Sequence, residues 1–318
     1  MERTTVAFLG PEASYTHQAT KAIFSDVFEA VRNRDATYGV VPFENSTHGP
    51  VTSTLAGLAD RDGSYSELSV CGETHLAIHH YLLGCQHSDT VASADIDADD
   101  AGVPLTSLDH IARIYSHPQA FGQTAAFVRR YFPAERRPEM IDASSTSRAA
   151  ELAAADDSGT SAAISSVLAA ETTSLNVLAR CIEDRPDNTT RFYILQRSPP
   201  QAPTTALTRT CPKSLVSFTV PHHSPGALAD VLDCFRRSQL NITSINSLPS
   251  LVAPFHYLFF IEFEHGNPPE SRIQVTSVGT AMPESPDERV RRVLNEVAKV
   301  AESHRLLGTW SKPKLPTP

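Results

Sequence analysis

The chain has 318 residues, 41% of them hydrophobic and 20% charged, with a formal net charge of −9. That length suits about two domains of ~100 to 200 residues each, and the composition is that of a soluble globular protein. The acidic balance excludes nucleic acid as the main partner, since phosphate binding needs a basic stripe, and no apolar run approaches the ~18 to 20 residues that span a bilayer. The apolar pattern starts at Thr5, which leaves no room for a signal peptide and predicts a cytoplasmic protein. Five widely spaced cysteines without a CxxC pair read as reduced thiols.

In chain order, "TVAFLG" predicts a strand, "SDVFEAVRN" a helix capped by Ser25, and "YGVVPF" a second strand. "ETHLAIHHYLLG" predicts one long strand, and "HPQAFGQTAAFVRRYF" and "TSRAAELAAA" predict helices. The strand "SAAISS", the helix "VLAAETTSL" and the strands "NVLARCI" and "RFYILQR" follow. This alternation predicts an α/β fold with helices over a largely parallel sheet, where ligands sit at strand ends.

Residues 198–212 are proline-rich and predict a linker between a domain of residues 1–197 and one of residues 213–312. The second domain reads strand, helix, strand, strand, helix, strand, the βαββαβ ferredoxin-like order. In its last helix Val290, Val293, Leu294, Val297, Val300 and Ala301 form one buried stripe. Residues 266–286 predict a surface insertion, and residues 88–104 a solvated acidic loop. Asp95, Asp97 and Asp99 resemble a calcium loop, but Asp100 stands where that loop needs Gly and Thr106 where it needs Glu.

Five polar stretches fall where strands give way to turns. "GPEASYTHQAT" puts Ser14 and Thr16 at a helix start, where free N–H groups and the helix dipole suit a carboxylate, or where they simply cap. "VVPFENSTHGPV" crowds Glu44, Asn45 and Ser46 at a strand end, although turn chemistry alone also explains them. "YSHPQAFGQ" offers His117 and Gln119 before a helix, and "DASSTSRAA" offers Ser144, Ser145 and Thr146 as caps or as donors to an oxyanion. In "DNTTRFYIL" Arg191 follows Thr189 and Thr190. It suits either a strand-edge ion pair with Asp184 or Asp187 or a bidentate grip on a ligand carboxylate. His75 and His79 are four apart in an alternating strand, hence ~13 Å apart, which argues against a metal site. No GxGxxG or phosphate loop is present, so no nucleotide cofactor is predicted.

Taken together, "FLGPEASYTHQA", "GVVPFENSTHGPV", "SHPQA", "SSTSRAA", "AAISS" and "DNTTRF" stand in the order that resembles prephenate dehydratases. "SPGALADVLDCF" and "YLFFIEFE" resemble the regulatory ACT module that follows that catalytic domain. The resemblance implies two α/β lobes around a cleft, similar to periplasmic binding proteins, followed by the ferredoxin-like ACT domain. It implies conversion of prephenate to phenylpyruvate with loss of water and CO2, on the route to phenylalanine and without metal or organic cofactor.

By the family motif Thr190 is the catalytic residue near the departing hydroxyl. The resemblance further implies that Arg191 grips a substrate carboxylate with Phe192 packed beneath, and that Asn45, Ser46, Gln119, Ser145, Thr146, Ser14 and Thr16 complete a ring of donors. Phenylalanine is the implied allosteric ligand, at Gly226, Ala227 and Leu228 with Asn246 and Ser247, although "NSLP" stands where the family has Glu-Ser-Arg-Pro. A homodimer or homotetramer is the implied assembly. The first lobe departs from the family in running Phe24 directly into Ser25. A non-catalytic two-lobed binding protein, or an inactive paralogue, is the alternative.

Overall fold

The computed structural model describes residues 6–8, 20–86, 101–197, 212–265 and 286–311. Ser14 and Thr16, the linker up to residue 211, residues 88–100 of the acidic loop and residues 266–285 of the insertion therefore lie outside the described residues.

The chain opens with β1 (Val6–Phe8), α1 (Thr20–Asn33), β2 (Tyr38–Asn45), β3 (Gly49–Pro50), α2 (Thr52–Ala59) and β4 (Leu68–Ala77). Helix α1 runs unbroken through Phe24 and Ser25, so Ser25 is an interior position and not the predicted cap. The apolar stripe of Val27, Phe28 and Val31 buries against the sheet together with Val41 and Phe43.

A second sheet follows, from β5 (Tyr81–Gly84), β6 (Arg113–Ser116), α3 (Pro118–Gln123), α4 (Ala125–Tyr131), β7 (Glu139–Asp142), α5 (Thr146–Ala154), β8 (Ser161–Ser165), α6 (Val167–Thr173) and β9 (Asn176–Ala179). The predicted single strand over residues 73–84 is thus two strands in two sheets, with residues 78–80 crossing between them. The predicted helix over residues 117–132 breaks at Thr124, whose buried hydroxyl donates to the Ala120 carbonyl oxygen at 2.9 Å. Such side-chain bonding to the backbone one turn back bends or interrupts helices.

Strand β10 (Thr189–Arg197) returns to the first sheet, between β2 and β4 and antiparallel to both. The two crossing segments are stitched together: Ile78 N donates to Asn188 O, and Ile182 N to His80 O. The second sheet, in the order β7-β6-β8-β5-β9, is parallel in its first three strands and antiparallel in the rest. Both sheets are therefore mixed, not largely parallel, because the chain enters and leaves the second lobe on strands that reverse direction.

The remaining elements are β11 (Pro212–Thr219), α7 (Ala227–Arg237), β12 (Asn241–Pro249), β13 (Tyr257–Glu264), α8 (Pro286–Val300) and β14 (Ser303–Ser311), the predicted βαββαβ order. Their strands lie antiparallel in the order β14-β11-β13-β12. Val290, Val293 and Val297 of α8 are fully buried against Val216, Phe218, Ile261 and Phe263. On the other face Leu215, Phe260, Leu307 and Trp310 join the core of the first lobe, each such burial being worth ~1.5 to 3 kcal/mol. Strand β14 meets β4 at Gly308 and Val70, so a nine-stranded sheet runs through both halves. The approach requires glycine: a Cβ at Gly308 would run into the Val70 carbonyl oxygen, with the Val70 carbonyl carbon and nitrogen each at 2.8 Å.

His265, at the end of β13, is 1% exposed, and its Nε2 lies 2.8 Å from Ser214 Oγ. Burial, with Arg289 nearby, pushes its pKa from 6.5 down to about 4. Between those values the unfolded chain takes up a proton that the native state refuses, so stability falls as pH falls through that window. The full effect is on the order of 3 kcal/mol. Urea unfolding of His265→Gln should show a flatter stability profile between pH 6.5 and 4.5 than the parent.

Candidate active site

A cavity of about 160 Å3 lies between the two lobes. Strand alternation decides which side chains reach it. On β10, Thr190 and Phe192 line the cavity while Arg191, between them, points to the opposite face. On β2 a bulge opposite Arg191 and Phe192 leaves Phe43 unpaired, so that Asn45 faces Thr190 and Pro42 faces Phe192, both on the cavity side. Pro42 suits a bulge because it has no N–H to lose from the ladder.

Asn45 is fixed at both ends of its amide. Its Oδ1 accepts from the backbone N of Thr47 at 3.0 Å and of His48 at 3.1 Å, an Asx turn that closes the loop after β2. Its Nδ2 donates to Asn188 Oδ1 at 2.8 Å and to Thr190 Oγ1 at 3.0 Å. Thr190 therefore accepts from Asn45, and its own O–H proton is left to be directed into the cavity.

The second lobe contributes Gln119, Ala120 and Gln123 from α3, His117 just before it, and Thr146 at the start of α5. Thr146 Oγ1 is buried and hydrogen-bonded to no protein atom, so it is a polar group held ready for a ligand. Three imidazoles line the wall: His48, His80 and His117. Burial pushes the pKa of His80 and of His117 below 6.5, so both are neutral at pH 7. His80 Nε2 lies 2.7 Å from Gln123 Oε1, and the Gln123 amide nitrogen reaches to 3.3 Å from His48 Nδ1. This chain of contacts joins the crossover, the second lobe and the first.

Several predicted site residues are placed elsewhere. Ser46 clips the turn to β10, donating to Asp187 O and accepting from Thr189 N. Ser145 caps α5 by accepting from Arg148 N at 2.9 Å. Arg191 does not line the cavity. It lies over the Phe43 ring, 4.8 Å from its centroid, and pairs with Glu44, Glu73 and Glu262. Among the described residues, none of the cavity-lining side chains is Lys or Arg. His48, His80, Gln123 and Asn188 are cavity residues that sequence reasoning missed.

A second cavity of about 310 Å3 opens at the start of α7, lined by Gly226, Ala227 and Leu228 with His222, Ser224, His256, Tyr257 and Phe259. Gly226 takes φ +83 as the helix cap, which favours glycine. The rings of His222 and His256 stack at 4.2 Å on its wall. Asn246 and Ser247 are not among its lining residues, and Asn246 Nδ2 donates instead to Ser244 Oγ.

Near the crossover the ligand atoms of His79, Cys181 and Glu183 lie within 4.8 Å of one another. The carboxylate there is already engaged, by His79 Nδ1 at 2.7 Å and by His80 N at 2.8 Å. Among the described residues no helix is long and apolar enough to cross a membrane.

Comparison with known proteins extends over the same residues. The sequence profile of the family described as prephenate dehydratase matches residues 6–200. Over 282 residues the chain is 34% identical to the bifunctional chorismate mutase/prephenate dehydratase of Neisseria gonorrhoeae, covering 85% of this chain and 68% of that protein. It is 27% identical to the prephenate dehydratase of Lactococcus lactis subsp. cremoris, covering 96% of this chain and 97% of that one. The crystal structure of prephenate dehydratase from Arthrobacter aurescens, in complex with L-Phe, superposes with a TM-score of 0.71 at 27% identity, covering 99% of this chain and 94% of that one. With the profile spanning all the elements that build the interlobe cavity, the chain belongs to the prephenate dehydratase family.

Proposed function

We propose that the interlobe cavity binds prephenate and converts it to phenylpyruvate, water and CO2. In this reaction the ring C–O bond breaks as the hydroxyl gains a proton and leaves as water. The bond from the ring to its carboxylate breaks as well, and its electron pair completes the aromatic ring. One proton is consumed for each dianion turned over. Aromatisation drives the reaction, so the protein's work is to position the dianion and assist the leaving oxygen, effects worth ~7 to 11 kcal/mol and ~10²- to 10⁴-fold respectively.

The observation that carries this reading is Thr190 Oγ1 accepting from Asn45 at 3.0 Å while facing the cavity, which aims its proton at a leaving oxygen. A threonine hydroxyl is too weak an acid to supply the proton outright, so it polarises the departing group or passes a proton on. The imidazoles of His48, His80 and His117 line the same wall. Gln119, the unpartnered Thr146 hydroxyl and the capped start of α5 are donors for the substrate's carboxylates. Phe192 supplies apolar contact. Arg191 is not given the carboxylate, since it faces away and is already paired.

In this reading residues 1–197 form the catalytic domain, residues 198–212 a linker and residues 213–312 an ACT-type regulatory domain working as a homodimer or homotetramer. Its second cavity takes phenylalanine, the ligand of the Arthrobacter aurescens structure. Incubation with prephenate at neutral pH should give ultraviolet absorbance of phenylpyruvate that grows with enzyme concentration, and its absence would refute the assignment. Calorimetric titration with phenylalanine should show saturable binding, which Gly226→Val abolishes. A flat titration of the parent protein would remove the regulatory part alone.

A further inference from the structure

The guanidinium of Arg191 is held chiefly by a residue from the other half of the chain. Its Nη1 lies 2.9 Å from each carboxylate oxygen of Glu262, on β13, and 3.4 Å from Glu73 on β4. Its Nη2 lies 3.1 Å from Glu44 on β2. Glu262 also accepts from the Tyr193 hydroxyl at 2.6 Å and from Thr243 Oγ1 at 2.7 Å, and Lys213 Nζ lies 3.2 Å from it. Glu262 is 1% exposed, Lys213 6% and Arg191's side chain 12%. Two cations thus face two fully buried carboxylates, with the more exposed Glu44 at the rim.

The connection to the cleft is covalent. Thr190 and Asn45, which share the 3.0 Å hydrogen bond in the cavity, are chain neighbours of Arg191 and Glu44, which share an ion pair on the opposite face. Successive side chains of a strand point to opposite faces, so whatever fixes Arg191 and Glu44 from behind also fixes the backbone that presents Thr190 and Asn45 in front. Buried ion pairs add little net stability compared with apolar packing, but both carboxylate oxygens of Glu262 are engaged by hydrogen-bond donors, which holds its partners in one geometry.

We propose that Glu262, in the C-terminal βαββαβ half, is a positioning residue for the dehydration site. Acting through Arg191 and Glu44, it holds Thr190 in register with Asn45, so the C-terminal half completes the active site from behind. The proposal rests on the assigned reaction only for its kinetic readout.

The test is steady-state kinetics of the full chain carrying Glu262→Gln, with melting temperature measured alongside so that assays run on folded protein. The expected result is a fall in kcat of about tenfold with KM within about twofold. Glu262→Asp should be milder because it keeps the charge. Adding Glu262→Gln to Arg191→Gln should produce no further loss, because Glu262 acts through Arg191. Unchanged kcat in folded Glu262→Gln, or full additivity of the double variant, would overturn the proposal. If Glu262→Gln does not fold, Thr243→Val, which removes one donor to Glu262 and leaves every charge, takes its place with a smaller fall expected. If the parent forms no phenylpyruvate, the reaction assignment fails on its own account. The methyl resonance of labelled Thr190 then decides: it shifts in Glu262→Gln if the coupling exists and stays in place if it does not.

Discussion

Thr190→Ala should lower kcat for prephenate by ~10²- to 10⁴-fold, the range for losing a positioned proton donor, with KM and melting temperature nearly unchanged. Folding should survive because Asn45 Nδ2 keeps its 2.8 Å bond to Asn188 Oδ1 and its carbonyl keeps the Asx turn. Thr190→Val matches the shape without the hydroxyl and should be as slow as alanine, whereas Thr190→Ser restores the hydroxyl and should recover most of the rate. Wild-type turnover in the valine variant would show that the hydroxyl does no chemistry. Stopped assays of phenylpyruvate absorbance, normalised to folded protein, distinguish these outcomes.

Gly308→Val should be the most damaging single substitution for the structure as a whole. The added side chain meets the backbone of Val70, and no flexible side-chain end is there to move aside. Relief requires β14 to part from β4, where one bridge joins the two halves of the nine-stranded sheet. Overpacking alone costs about 1 to 3 kcal/mol. Here it would also loosen Leu307 and Trp310 from the core they share with the first lobe. Calorimetry should show the melting transition shifted down and split in two. A single transition at the parental temperature would mean that the halves do not depend on this contact.

The order of elements could be read from the sequence because periodicity is local. The α8 stripe of Val290, Val293 and Val297 is buried as its spacing implies. Residues 73–84 misled because alternation continues across the crossover, and nothing local marks where a strand leaves one sheet for another. That Asn45, Gln119, Thr146, Thr190 and Phe192 share one cavity was implied by the order of the family motifs, since local pattern placed them only at strand ends and helix starts, where capping and turn roles fit equally well. The orientation of Arg191 was also within reach. If Thr190 and Phe192 face the ligand, period-two alternation turns Arg191 away, and a motif that lists the three together hides this. His80 and Asn188 carried no local signal, since their positions depend on pairing between crossing segments a hundred residues apart. Glu262 was invisible for the same reason, as nothing in "YLFFIEFE" says which domain its carboxylate will meet.

The route of the chain through residues 78–80 and back through 180–188 makes the second lobe a cassette spliced into the first, with entry and exit side by side. A body tethered by two neighbouring threads can swing about the line joining them and is resisted in other directions. Its jaw-like motion would open or shut the mouth bordered by His48 and Gln123, while the floor carrying Thr190 stays with the stationary part.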